Sequence, residues 1–218
     1  MEFAEKRREL VDYLEQLGVV ATPEIKRSLL KIKRELFIPQ AYRESAYYYN
    51  VALPIPGGMT ISAMNMHASF LSATQLKKGD KVLEIGAGSG ILLAYAKEVV
   101  GKTGKVYGIE LNPEAYEFAM SNLKKNGYDK KVKLILGDGS KGLPEFAPFD
   151  KIISSAASPE KIPKPWIEQL KAEGIIVTPV GRGFGQKLVW IKKTKGRLLK
   201  KDLGGVVFIE LKGEHGYR

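Results

Sequence analysis

Three acidic residues stand where apolar runs end: Glu84 within Val82-Leu83-Glu84-Ile85, Glu110 after Lys105-Val106-Tyr107-Gly108-Ile109, and Asp138 after Val132-Lys133-Leu134-Ile135-Leu136-Gly137. The first run breaks into Gly86-Ala87-Gly88-Ser89-Gly90 and resumes as Ile91-Leu92-Leu93-Ala94-Tyr95-Ala96. A strand that stops in glycines and restarts as a helix turns sharply. It can lie against a ligand with no Cβ in the way, and the free N–H groups of the new helix face that ligand. The spacing is Gly-x-Gly-x-Gly, with Ile91 where a dinucleotide fingerprint would place its last glycine. A pyrophosphate uses the helix N-terminus for its negative charge, whereas S-adenosylmethionine brings an amino acid, a ribose and an adenine. This variant suits S-adenosylmethionine better than NAD, with Glu84 serving the ammonium end. Glu110, at the tip of the second strand, is placed to accept from both ribose hydroxyls, and Asp138, at the tip of the third, from the adenine amino group.

These acids need a scaffold of strands alternating with helices. Val82 to Leu136 reads as three strands separated by helices over 90–100 and 113–126, the second with Asn112 as cap and Pro113 and Glu114 in its first turn. Such alternation predicts a doubly wound, mostly parallel α/β sheet with right-handed crossovers. A fourth strand, Phe149 to Ile153, ends in the small residues Ser154-Ser155-Ala156-Ala157-Ser158. A short helix opens at Pro163-Lys164-Pro165-Trp166, and later strands are expected over Gly174–Pro179, Lys187–Ile191 and Gly205–Ile209. Upstream, residues 3–18 and the stretch opened by Thr22-Pro23-Glu24 have the spacing of amphipathic cover helices. A tyrosine-rich segment (Tyr42, Tyr47, Tyr48, Tyr49), read as packing, leads to Pro54-Ile55-Pro56-Gly57-Gly58, a surface loop or edge hairpin. A further helix runs to about Leu76. One domain over 1–218 is expected, with 1–76 as helices, hairpin and substrate-covering segment and 77–218 as the cofactor-binding core.

Composition narrows the chemistry. With no cysteine in 218 residues, disulfides, thiolate metal sites and cysteine nucleophiles are excluded, and no metal site is expected. The apolar runs are too short to span a bilayer and no signal segment follows Met1, which predicts a soluble cytoplasmic protein. The formal net charge of +11 would attract polyanions, but the lysines are scattered among glutamates without interleaved aromatics, the pattern of a solvated surface. Abundant Lys and Glu with few Asn, Gln and Cys is also the composition of heat-adapted proteins.

The fourth strand end discriminates between methyl acceptors. Enzymes that methylate exocyclic base amines carry an Asn/Asp-Pro-Pro-aromatic box there, and Ser154-Ser155-Ala156-Ala157 offers neither amide nor stacking ring. Pro54-Ile55-Pro56-Gly57-Gly58-Met59-Thr60-Ile61-Ser62-Ala63 resembles the signature of the protein-L-isoaspartate O-methyltransferases. The resemblance extends through Met66-His67-Ala68, the glycine turn, Gly137-Asp138-Gly139, Ala147-Pro148-Phe149-Asp150, Ile162-Pro163-x-Pro165, Thr178-Pro179-Val180-Gly181 and Gly204-Gly205-Val206. Met59 and the pair Met64-Asn65 depart from it.

The resemblance implies the class I S-adenosylmethionine-dependent methyltransferase (Rossmann-like) fold. It also implies methyl transfer to the carboxylate of isoaspartyl, and by extension D-aspartyl, residues in damaged proteins and peptides, leaving S-adenosylhomocysteine. It further implies Ser62 as the active-site residue, and cofactor contacts from Thr60, Ile61, His67, Glu84, Gly86, Ala87, Gly88, Glu110, Leu111, Asp138 and Gly139. A carboxylate is ionised at neutral pH and needs no general base, so catalysis would be mainly positioning. Ser62 also reads as a helix N-cap and His67 as a buried structural histidine. An RNA methyltransferase with the same cofactor site, or a non-catalytic cofactor-binding module, are the alternatives; no nucleic acid, no membrane and a monomer are the expectation.

Overall fold

A computed structural model describes residues 2–48 and 50–217; Tyr49 of the tyrosine-rich segment lies outside them. In chain order the elements are α1 (Glu2–Gln16), α2 (Pro23–Lys31), β1 (Leu53–Ile55), β2 (Met59–Ile61), α3 (Met64–Ala73), β3 (Lys81–Ile85), α4 (Ile91–Val100), β4 (Lys105–Glu110), α5 (Pro113–Lys125), β5 (Lys133–Leu136), β6 (Phe149–Ser154), α6 (Lys164–Gln169), β7 (Leu170–Val180), β8 (Lys187–Thr194) and β9 (Arg197–Gly205). Local chemistry sets the helix starts. Thr22 Oγ1 accepts from the Ile25 N–H at 3.3 Å with Pro23 in the first turn, and Asn112 Oδ1 accepts from the Ala115 N–H at 3.0 Å with Pro113 in the same role.

Strands β5-β4-β3-β6-β7-β8-β9 form one sheet, parallel from β5 through β7, with β8 antiparallel to its neighbours β7 and β9. Alternate strand residues serve two cores. Val82, Val106, Ile153 and Val177 face the side covered by α1 to α5, while Leu83, Ile109, Ile152 and Ile176 face the side where Trp166 of α6 is fully buried. The chain winds from β3 outward to β5, then returns to β6 on the other flank of β3. This reversal leaves a crevice at the carboxyl ends of β3 and β6, the place where open α/β sheets bind ligands; the Ser155 N–H donates to the Ile85 carbonyl there at 2.8 Å.

The strand predicted over Gly205–Ile209 is displaced. The turn at Lys195-Gly196 sets the hairpin register, so Arg197 to Gly205 lie opposite β8, and Gly205 already pairs with Lys187 at its start. Val206 onward has no partner strand left and crosses the strand ends as a strap, where the Ala157 N–H donates to Ile209 and the Leu211 N–H to Ala157, both at 2.8 Å. The segment around Pro54–Gly58 is a hairpin, β1 pairing antiparallel with β2 from Leu53↔Ile61 to Ile55↔Met59. Among the described residues no helix is long and apolar enough to cross a membrane.

Candidate active site

The glycine turn is stitched to β4. Gly86 takes φ +77°, a conformation that residues with a Cβ rarely adopt, and the N–H groups of Gly86 and Ala87 both donate to the Ile109 carbonyl, at 2.9 and 3.3 Å. Glu110, at the tip of β4, grips the turn from its other side. Its Oε2 accepts from the Gly88 N–H at 2.8 Å and its Oε1 from the Asn112 N–H at 2.9 Å. The carboxylate borders a cavity of about 760 Å³ that Gly86, Gly88, Leu111 and Gly139 also line. A carboxylate has about four acceptor sites; two are taken by backbone, which leaves acceptor capacity for two neighbouring hydroxyls.

A narrow cleft adjoins this cavity, walled by Thr60, Ile61, Ser62, His67, Glu84 and Ala87. Glu84 is buried; its Oε1 accepts from Ser155 Oγ at 3.4 Å and its Oε2 has no partner among the described residues. Burial, reinforced by the negative charge of Glu110, pushes its carboxyl well above the usual range. An unpartnered buried carboxyl oxygen is costly, and a ligand ammonium would satisfy it. His67 is buried, and its Nδ1 has no partner among the described residues. Burial, aided by the Arg34 charge, holds its pKa well below the ordinary value and keeps the ring neutral at physiological pH. The lining fits a nucleoside that carries an amino acid: an acid for an ammonium, an acid for a ribose, a neutral imidazole in the cleft and an apolar wall.

Asp138 already carries hydrogen bonds of its own. Its Oδ1 accepts from the N–H and Oγ of Ser140, at 2.9 and 2.6 Å, and its Oδ2 from the Glu214 N–H at 2.9 Å. Burial raises its pKa, but those hydrogen bonds and the Lys141 charge outweigh it and hold the carboxyl below its usual range. The carboxylate ties the strap to the β5 loop. Its neighbour Gly139 lines the cavity and Asp138 does not.

Ser62 occupies the junction of cavity and cleft. The cap of α3 is Ala63 and no side chain caps that helix, so the helix-cap reading of Ser62 does not describe its place. Its carbonyl is fixed by Arg34 Nη1 at 2.8 Å, and Arg34, 1% exposed, also donates to the carbonyls of Ala46 and Val51. The structure therefore gathers Thr60, Ser62, Gly86, Gly88, Glu110, Leu111 and Gly139 around one cavity, and sets Ile61, His67, Glu84 and Ala87 in the cleft. Three contributors escaped the sequence reading. Arg34 lacks a motif, Asn112 was legible only as a helix cap, and the start of the strap was read as part of a strand over Gly205–Ile209; the paired glycines before Val206 were its one signal.

Comparison with known proteins bears on the family and the fold. The family described as protein-L-isoaspartate(D-aspartate) O-methyltransferase matches residues 5–216. The chain is 44% identical over 224 residues to the protein-L-isoaspartate O-methyltransferase of Hyperthermus butylicus, covering 99% of this chain and 92% of that one. A solved protein-L-isoaspartate O-methyltransferase superposes with a TM-score of 0.86 at 31% identity, over 96% of this chain and 67% of the other. The fold is shared as well with a structure described as a beta-aspartate methyltransferase (PCMT) from Plasmodium falciparum in complex with S-adenosyl-L-homocysteine, with a TM-score of 0.82 at 24% identity, over 94% of this chain and 98% of that one.

Proposed function

The chain belongs to the protein-L-isoaspartate(D-aspartate) O-methyltransferase family, an S-adenosylmethionine-dependent protein carboxyl methyltransferase acting on isoaspartyl residues, and we propose how its own residues divide that work. Glu110 takes the ribose, Glu84 and His67 the amino acid end, Leu111 and Gly139 the walls of the nucleoside site, and the hairpin residues Thr60, Ile61 and Ser62 cover it. The observation that carries this reading is that Glu110, bound to Gly88, and Ser62 line one cavity.

When bound, S-adenosylmethionine supplies a methyl group made electrophilic by its sulfonium. Toward it the chain has to deliver a carboxylate oxygen in line, with little water nearby, because opposite charges vanish as the methyl moves and a dry site favours that loss. Ser62, whose backbone Arg34 holds, donates its hydroxyl to one substrate oxygen and leaves the other free to attack. No residue has to take a proton. The small residues Ser155 and Ala156 on the cavity wall let a peptide backbone approach closely.

The finer reading is of a cytoplasmic monomer that handles proteins and peptides and no nucleic acid, its residues 1–76 covering the substrate; size exclusion and an RNA-binding assay test it. The decisive experiment is transfer of labelled methyl to a synthetic isoaspartyl peptide beside its aspartyl twin. Base-labile label on the isoaspartyl peptide alone is expected. Label on neither peptide, with transfer to RNA, would overturn the assignment.

A further inference from the structure

The tip of the β1–β2 hairpin meets the start of α5 at Gly57. The Gly57 N–H donates to Glu114 Oε2 at 3.1 Å, and its carbonyl accepts from Asn112 Nδ2 at 3.1 Å. Gly57 sits at φ +78°, and a Cβ built there would collide with the Asn112 side chain. The other amide atom of Asn112, Oδ1, caps α5 through the Ala115 N–H, and its backbone N–H donates to Glu110 Oε1. One residue thus touches the ribose acid, the helix start and the hairpin. A two-stranded hairpin three residues long on each side is marginal by itself. Buried Leu53, Ile55 and Ile61 seat its base, and both polar groups of its tip glycine are taken by α5.

We propose that Asn112, assisted by Glu114, is a positioning residue: it latches the hairpin that carries Thr60 and Ser62 over the cofactor site, and so sets how long the cofactor and its product are retained. This rests on the cofactor assignment above, but its structural half does not. The capping role is separable from the latch, because Ser is as good an N-cap as Asn and has no amide to reach Gly57.

The test compares wild type with Asn112→Ser and Asn112→Ala. Hydrogen exchange of amides 57–61 is read on the free protein, melting temperature in parallel, and S-adenosylhomocysteine release by stopped flow. Asn112→Ser is expected to melt within about 2 °C of wild type. Its hairpin amides exchange at least about threefold faster and the product leaves severalfold faster. Asn112→Ala shows the same hairpin changes together with a lower melting temperature. Wild-type exchange in Asn112→Ser would reduce Asn112 to a helix cap and overturn the latch. Faster exchange with unchanged release would overturn its role in retention. Failure of the wild type to bind S-adenosylhomocysteine would count against the cofactor site, while the exchange data would still judge the latch.

Discussion

A carboxylate nucleophile arrives ionised, so Ser62 has a proton to offer and none to take. Because Ala63 is the cap of α3, truncating Ser62 removes the hydroxyl without touching a helix end, and Ala becomes the clean probe. Ser62→Ala is expected to keep its melting temperature and cofactor affinity while kcat falls roughly 10–10³-fold; unchanged turnover on isoaspartyl peptide would remove Ser62 from the chemistry. Glu84 makes a prediction of a different kind. Burial and Glu110 hold its carboxyl protonated well above the usual range in the free protein, whereas an ammonium partner stabilises the ionised form. Binding should therefore release a proton, and the sign follows: affinity rises with pH while Glu84 is protonated in the free protein, by up to about tenfold per unit, and levels off above its raised pKa. Calorimetry in two buffers of different ionisation enthalpy, below the titration of the cofactor's own amine, reads that proton directly. Zero proton release would mean that Glu84 does not face the ammonium.

Between residues and fold lies the strap, Val206 to Tyr217, held at its start by Gln186 and Ala157 and at its far end by three further side chains. Asp138 supplies one anchor through Glu214, Ser140 Oγ a second through the His215 N–H at 3.0 Å, and Tyr217 a third, its hydroxyl donating to the Ser158 carbonyl at 3.2 Å. Asp138→Ala is expected to lower stability by about 1–3 kcal/mol, since it strips acceptors from two backbone N–H groups, and to speed exchange at 213–217. Normal stability and exchange combined with weakened cofactor binding would return Asp138 to the adenine role read from its position. That contrast shows which parts of the site were legible. Glu110 could be placed from the chain alone because strand period and βα alternation fix where a strand tip lies. Asp138 satisfied the same rule, but the hydrogen bond that it accepts from the Glu214 N–H comes from a partner far along the chain that no local pattern announces. Ser62 looked like a cap because polar-to-apolar transitions usually are, and one residue of register decided otherwise. The last strand was misplaced because a continuous apolar run, Val206 to Ile209, follows Gly205, whereas pairing ends where β8 runs out.

At the scale of the whole molecule the question is what the positive balance does. Among the described residues a minority of the surface lysines is paired, as in Lys26 with Asp12 and Glu15, Lys31 with Glu98, Lys171 with Asp150 and Lys192 with Glu173, and exposed pairs of this kind add little to stability. What remains is the long-range field of a chain with formal net charge +11, which draws in anionic partners without specifying them. The substrate is a carboxylate on a flexible peptide, so that field assists encounter. It is screened over about 10 Å at 0.1 M salt. Activity on isoaspartyl peptide should therefore decline gently as salt rises from about 50 to 200 mM, by less than about tenfold, and mainly through KM, since salt does not reach the enclosed reacting charges. An RNA enzyme behaves otherwise: neutralising 6–10 phosphates makes binding fall by about 10³–10⁵ over the same range. The paired measurement is kcat/KM for isoaspartyl peptide and Kd for a structured RNA across one salt series. A shallow peptide slope beside weak RNA binding supports a protein carboxyl methyltransferase whose charge serves encounter. A steep slope shared with tight low-salt RNA binding would make the basic surface a nucleic-acid site.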